Sequence, residues 1–176
     1  MNWNTAAADV TERIFNGDQP SGTMEALRFV LDFFVDSDAS GRAEGCQSEE
    51  FIALGKHALL LGRRQGYFAG PNAAQNVLDT VIRKQCDYGH QNISRFGRFG
   101  LLVRMHDKVA RLENLMMSGH TPNHESIEDN ILDVIGYSIV GVMWEENSFM
   151  LDAFPLHALH VTVVESGPNR EKEWVF

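Results

Sequence analysis

Apolar residues recur at helical spacing along most of the chain, and strand-like character is confined to its end. Leu101, Met105, Val109, Leu112 and Met116 follow one another at spacings of 4, 4, 3 and 4. That rhythm predicts a helix from Leu101 to Met117 with a single buried stripe. Ile127, Ile131, Val134, Ile135, Ser138 and Val142 predict a second strong helix from Ser126 to Glu145. Between them, Ser118-Gly119-His120-Thr121-Pro122-Asn123 reads as a turn.

Four more helices are expected upstream. The first runs from Thr5 to Phe15 and stops at Asn16-Gly17. The second covers Met24 to Val35 and buries Leu27, Val30, Leu31 and Phe34, with an exposed loop from Asp36 to Gly45 after it. The third starts with Ser48 as its cap and Glu49 and Glu50 in the first turn, where acids suit the helix dipole, and ends near Arg64. Asn72 caps the fourth, which carries Val77, Leu78, Val81 and Ile82 to about Cys86. The glycine-bearing stretch from Asp87 to Gly100 is expected to be an ordered loop with a short helical turn.

The character changes after Phe149. Leu159 to Val164 is apolar and β-branched, a strand in pattern, and a charged tail follows from Gly167. One strand cannot satisfy its own backbone groups, so it points to pairing within the chain or with a second subunit. The expected architecture is mainly α: a multi-helix bundle with a short C-terminal β element, one domain over residues 1–176. Within it, residues 1–86 form N-terminal helices, 87–145 a motif-bearing helical core, and 146–176 the strand and tail.

Composition narrows the partners. The chain has 176 residues, enough to bury one core, and a formal net charge of −9. Such an acidic balance argues against bulk nucleic-acid binding while leaving room for a small anion bridged by a metal. Cys46 and Cys86 stand alone, without a CxxC or Cys/His cluster, and read as reduced thiols. No signal peptide or membrane-length apolar run is visible, so a cytoplasmic protein without a membrane partner is expected.

Candidate chemistry lies in the two strong helices and the loop before them. Arg104, Lys108 and Arg111 share one helical face, with Asp107 one turn before Arg111 and able to pair with it. Asp129 and Asp133 are one turn apart on the last helix, with Glu125 and Glu128 near its start and Tyr137 continuing the stripe. Carboxylates so spaced suit a divalent cation, and Arg and Lys suit phosphate. A capping box built on Ser126 gives Asp129 and Glu128 a structural reading instead. Capping does not account for Asp133, which sits between Leu132 and Val134 and needs either a metal or a cation such as Arg104, Lys108 or Arg111. In the loop, Arg95 and Arg98 alternate with glycines and with Phe96 and Phe99, which are expected to pack beneath it as core. His106-Asp107 matches the dipeptide of HD phosphohydrolases, for which His90, His120, His124 and Asp133 would be the further ligands. His157 and His160, beside the expected strand, suggest no site.

These residues, taken in order, resemble a known family. Asp87-Tyr88-Gly89, Asn92, Arg95-Phe96-Gly97, Gly100-Leu101, Arg104, Asp107-Lys108, Arg111-Leu112, Glu128-Asp129, Asp133 and Gly136-Tyr137 resemble the nucleotide-modification-associated domain found in many phages. That group looks like a distant branch of the all-α, MazG-like nucleotide pyrophosphohydrolases. The resemblance covers about Asp87 to Met143. It implies a helical protein, often an oligomer and here expected as a homodimer, that hydrolyses a (deoxy)nucleoside triphosphate to monophosphate and pyrophosphate with Mg²⁺. Asp129 and Asp133 would be catalytic, and Asp107, Glu128, Asp129 and Asp133 would hold the metal. Asn92, Arg95, Arg104, Lys108 and Arg111 would bind the nucleotide.

The chain departs from the family's pattern in two places. Asn130 stands where an ExxD pair would place Glu, and the preceding helix carries Asp107-Lys108 in place of EExxE, with Glu49-Glu50 the acidic pair further upstream. The alternative is therefore a non-catalytic nucleotide-binding or interaction protein on the same fold, with an HD-type phosphohydrolase third.

Overall fold

The computed structural model describes residues 1–119, 122 and 124–154. Among the described residues seven helices follow one another: α1 (Trp3–Phe15), α2 (Met24–Ala39), α3 (Ser48–Arg64), α4 (Ala73–Tyr88), α5 (Gln91–Ser94), α6 (Gly97–Ser118) and α7 (Ile127–Glu145). The mainly α bundle expected from the periodicity is what forms. Part of the turn between α6 and α7, the strand from Leu159 and the charged tail lie outside the described residues. No described helix is long and apolar enough to cross a membrane, and both cysteines are free and exposed.

α7 is the central helix because it is apolar on nearly every side. Ile131, Val134, Ile135, Ile139, Val142 and Met143 are all fully buried. α3 and α6 pack along it, and α1 and α4 cover its remaining sides. Close approach of α3 depends on small residues: a Cβ on Gly141 would overlap the Phe51 ring, and one on Gly55 would press on Ile14 and Ser138. Buried hydroxyls are satisfied locally. Ser138 Oγ donates to Val134 O at 2.9 Å, and Thr11 Oγ1 to Ala7 O at 2.7 Å.

The chain beyond α7 is tied back to the first helix. Asn4, nearly fully buried, donates its side-chain amide to Phe154 O (2.8 Å) and accepts from Phe154 N (3.0 Å), while Trp3 N donates to Asp152 O. Asn4 thus replaces a missing backbone partner on both counts.

Three sequence expectations need correction. α2 continues to Ala39, so the exposed loop begins later than Asp36. Ser48 is the first helical residue of α3, and Gln47 occupies the cap position without a side-chain cap bond. Phe96 and Phe99 are not core: they are 64% and 51% exposed. The cause is that α6 starts at Gly97, leaving Phe96 at its cap and Phe99 on its outer face. Gly97 takes φ of +55°, and a Cβ there would sit 2.9 Å from the Trp144 ring, so glycine is required twice over.

Candidate functional site

A cleft of about 300 Å³ opens where α4, α5, α6 and α7 meet. α4 presents Thr80, Val81, Lys84, Gln85 and Tyr88 to it. These residues fall on one helical face because they follow an i, i+1, i+4, i+5, i+8 pattern. α5 supplies Asn92 and Ile93, α6 supplies Arg104 and Lys108, and Glu125 closes one edge. α7 contributes Leu132, Asp133, Gly136, Tyr137 and Val140.

Asp133 is the electrostatic centre. One carboxylate oxygen is bonded to Lys84 Nζ, and the other lies 2.9 Å from Lys108 Nζ. Its side chain is only 13% exposed, a setting in which an unpaired carboxylate would be costly. Lys108 also donates to Glu125 Oε2 at 2.6 Å. Burial opposes the Lys108 charge, but its bonds to Glu125 and Asp133 outweigh that and hold its pKa above the ordinary lysine value. Arg104 donates to Asn92 Oδ1 (2.8 Å) and Asn92 O (3.2 Å), which fixes its guanidinium at the cleft wall. Three cations and two carboxylates therefore face one cleft in a protein of strongly negative net charge.

The other candidate residues are placed as follows. Asp129 is exposed and forms the capping box of α7: its Oδ2 accepts from Ser126 N (2.9 Å) and Ser126 Oγ (2.8 Å), while Asp129 N donates to Ser126 Oγ. Hydrogen bonds from the Ser126 backbone and then from its hydroxyl hold the Asp129 carboxyl below the usual aspartate range. Glu128 and Asp107 are exposed, and neither lines the cleft. Arg111 flanks the cleft without lining it, pairing with Glu125 at 3.5 Å and not with Asp107. Arg95 is exposed over the Phe96 ring, outside the cleft. Asn130 is fully buried with its amide donating to Ser126 O, and it does not line the cleft. Among the described residues, no three His, Cys, Asp or Glu side chains converge as a metal cluster.

The histidines of the HD alternative are engaged elsewhere. His106 contacts Arg28 Nη2 at 3.3 Å on the α2 side of α6. His90 bonds to Leu151 O and packs edge-on against Phe149. His124 is exposed, and His120 lies outside the described residues. Glu49 pairs with Arg13 at 3.6 Å, and neither it nor Glu50 lines the cleft.

Arg98 also has a structural task. It clamps Glu145 with two bonds of 2.7 and 2.8 Å, and reaches Asp38 and the carbonyls of Ala43 and Gly45. The bidentate bond to Glu145, then the Asp38 contact, raises its pKa. Sequence reading missed Lys84 and Gln85. For Lys84 the available signals were the demand of Asp133 for a cation and the shared face of Thr80, Lys84 and Tyr88 on α4.

No family model, curated protein or solved structure matches the chain.

Proposed function

We propose that the cleft binds a nucleotide through its phosphates, with Lys84, Lys108 and Arg104 as the anion-holding groups and Tyr88 and Tyr137 beside the base. The observation that carries this reading is the convergence of three cations from two helices on a cleft flanked by two tyrosines. Ammonium and guanidinium groups are the donors phosphate needs, and tyrosine rings offer a flat surface to a base. Asn92 acts by holding Arg104 in place.

Magnesium-dependent pyrophosphohydrolysis is the second reading, supported by Asp133, a carboxylate standing among the phosphate-holding cations. The arrangement described does not fit a magnesium site. Asp133 has both oxygens on lysines, Asp129 is held by Ser126, and Asp107 and Glu128 lie outside the cleft. The binding function is therefore placed first. A homodimer and a phage setting belong to this proposal on the strength of the family resemblance and a cytoplasmic location on the sequence pattern, whereas magnesium belongs to the hydrolase reading alone.

The test is titration calorimetry of the parent, Lys84→Met and Lys108→Met with pyrophosphate and a panel of dNTPs in EDTA. A parallel assay follows pyrophosphate release with Mg²⁺. Binding in the parent that each methionine variant weakens about tenfold supports the phosphate site. Absence of binding by any nucleotide and by pyrophosphate overturns it, and Mg²⁺-dependent release brings the hydrolase reading to the front.

A further inference from the structure

Gln85 is the one feature of the cleft that phosphate binding leaves unexplained. Its side chain lines the cleft yet the residue is only 7% exposed, and its amide nitrogen is buried without a hydrogen-bond partner. Buried amide donors are nearly always satisfied, so an unpaired one at a cleft wall marks a place where an acceptor is expected. Among the residues that line the cleft with it, Val81, Ile93 and Val140 carry no side-chain acceptor, and no lining side chain accepts from Gln85. The ionic groups lie apart from it in kind: Lys84, Lys108 and Asp133 satisfy one another. The cleft thus combines mutually paired charges with apolar side chains and one unpaired amide.

We infer that Gln85 is the base-reading residue of the cleft, donating its amide N–H to a ring carbonyl oxygen of the bound nucleotide. This rests on the nucleotide-binding reading and adds a substrate class: nucleotides whose base carries a carbonyl at the edge that enters the cleft. A flat ring with its carbonyl on Gln85 and its phosphates on the lysines would satisfy the unpaired amide and the cations at once. A site built around a hydrogen bond rejects the analogue that cannot make it, because the buried group is then left unpaired.

The test compares the parent, Gln85→Met and Gln85→Glu by calorimetry in EDTA, with thermal unfolding confirming that each variant is folded. Methionine keeps the length and flexibility of the side chain and removes the donor. The probes are two pairs differing by oxo against amino, dITP with dATP and dUTP with dCTP, plus pyrophosphate as a ligand without a base. The parent is expected to favour the oxo member of at least one pair about tenfold. Gln85→Met is expected to abolish that preference with pyrophosphate affinity unchanged. Gln85→Glu, which only accepts when ionised, is expected to shift the preference toward the amino member. Equal selectivity in parent and Gln85→Met overturns the inference and leaves the phosphate site standing. So does a parent that binds every base alike. Loss of pyrophosphate binding in Gln85→Met assigns Gln85 a structural role and also overturns it. If the parent binds neither nucleotides nor pyrophosphate, both readings fall together.

Discussion

Lys108 Nζ lies 2.9 Å from Oδ2 of Asp133, and the two side chains are 15% and 13% exposed. With Lys84 on the other carboxylate oxygen, one aspartate holds two ammonium groups from different helices at the mouth of the cleft. An arriving phosphate must therefore compete with Asp133 for both lysines.

That competition predicts an unusual result for Asp133→Asn. The substitution removes the competing charge and leaves both lysines in place, so pyrophosphate binding in EDTA should tighten several-fold. The broken ion pairs should lower stability by about 1–3 kcal/mol, less than a fully buried pair because Lys84 is half exposed. Any Mg²⁺-dependent turnover of the parent should be lost in the same variant. Calorimetry and urea unfolding check these outcomes. Weaker pyrophosphate binding in EDTA would show that the lysine pair is not the phosphate site.

The capping box gives an acid-range prediction. Asp129 has a folded-state pKa below its unfolded value, because Ser126 donates two hydrogen bonds to the carboxylate. Its contribution is therefore present above the unfolded aspartate pKa, about 3.9, and is lost as pH falls through the folded value. Ser126→Ala should cost about 1 kcal/mol at neutral pH. The gap between parent and variant in urea midpoint should narrow below about pH 4. A gap that stays constant with pH would separate the cap from the charge of Asp129.

How much of this was legible beforehand follows from what sequence patterns encode. The 4-4-3-4 rhythm from Leu101 to Met116 located α6, and the Ser126–Asp129 signature located the start of α7, because both are local features. Asp133, a charge inside an apolar stretch, demands a partner from the pattern alone, and Lys108 on the preceding helix is one that it meets. Lys84 is less legible, since it lies 49 positions away and only the packing of α4 beside α7 brings it near. Gln85 carried no sequence signal at all: an amide at helical spacing looks like any other polar residue until its burial is known. Arg98 and Phe99 show the opposite error. Motif-like spacing around Gly97 drew attention to a loop, whereas the segment is the first turn of a helix with Arg98 fastened to Glu145.

That fastening should be expensive to loosen. Arg98 and Glu145 are 20% and 4% exposed, and Glu145 also accepts from Gln47 N at 2.9 Å. Lysine cannot reproduce the two-pronged bond, nor reach the Ala43 and Gly45 carbonyls at the same time. Arg98→Lys should therefore destabilise by about 2 kcal/mol, and Glu145→Ala by about 3 kcal/mol, since it leaves a guanidinium partly buried without its main partner. Urea midpoints measure both. Neither residue lines the cleft, so nucleotide affinity in the folded variants should match the parent.

Gly141 and Gly136 stand five positions apart on α7 and separate packing from binding. A Cβ at Gly141 would overlap the Phe51 ring, which is itself fully buried against Phe34. Gly141→Ala forces that pair to shift and should cost about 1–3 kcal/mol. At Gly136 the nearest atom to an added Cβ is Val81 Cγ2 at 3.4 Å, an ordinary contact. Gly136→Ala should leave stability equal or raise it by up to about 1 kcal/mol, because alanine favours the helix. Yet Gly136 and Val81 both line the cleft, so the same methyl narrows it. Nucleotide binding should weaken while pyrophosphate binding does not, since the lysines are untouched. Unchanged nucleotide affinity in a stable Gly136→Ala variant would place the base outside the Val81 side of the cleft.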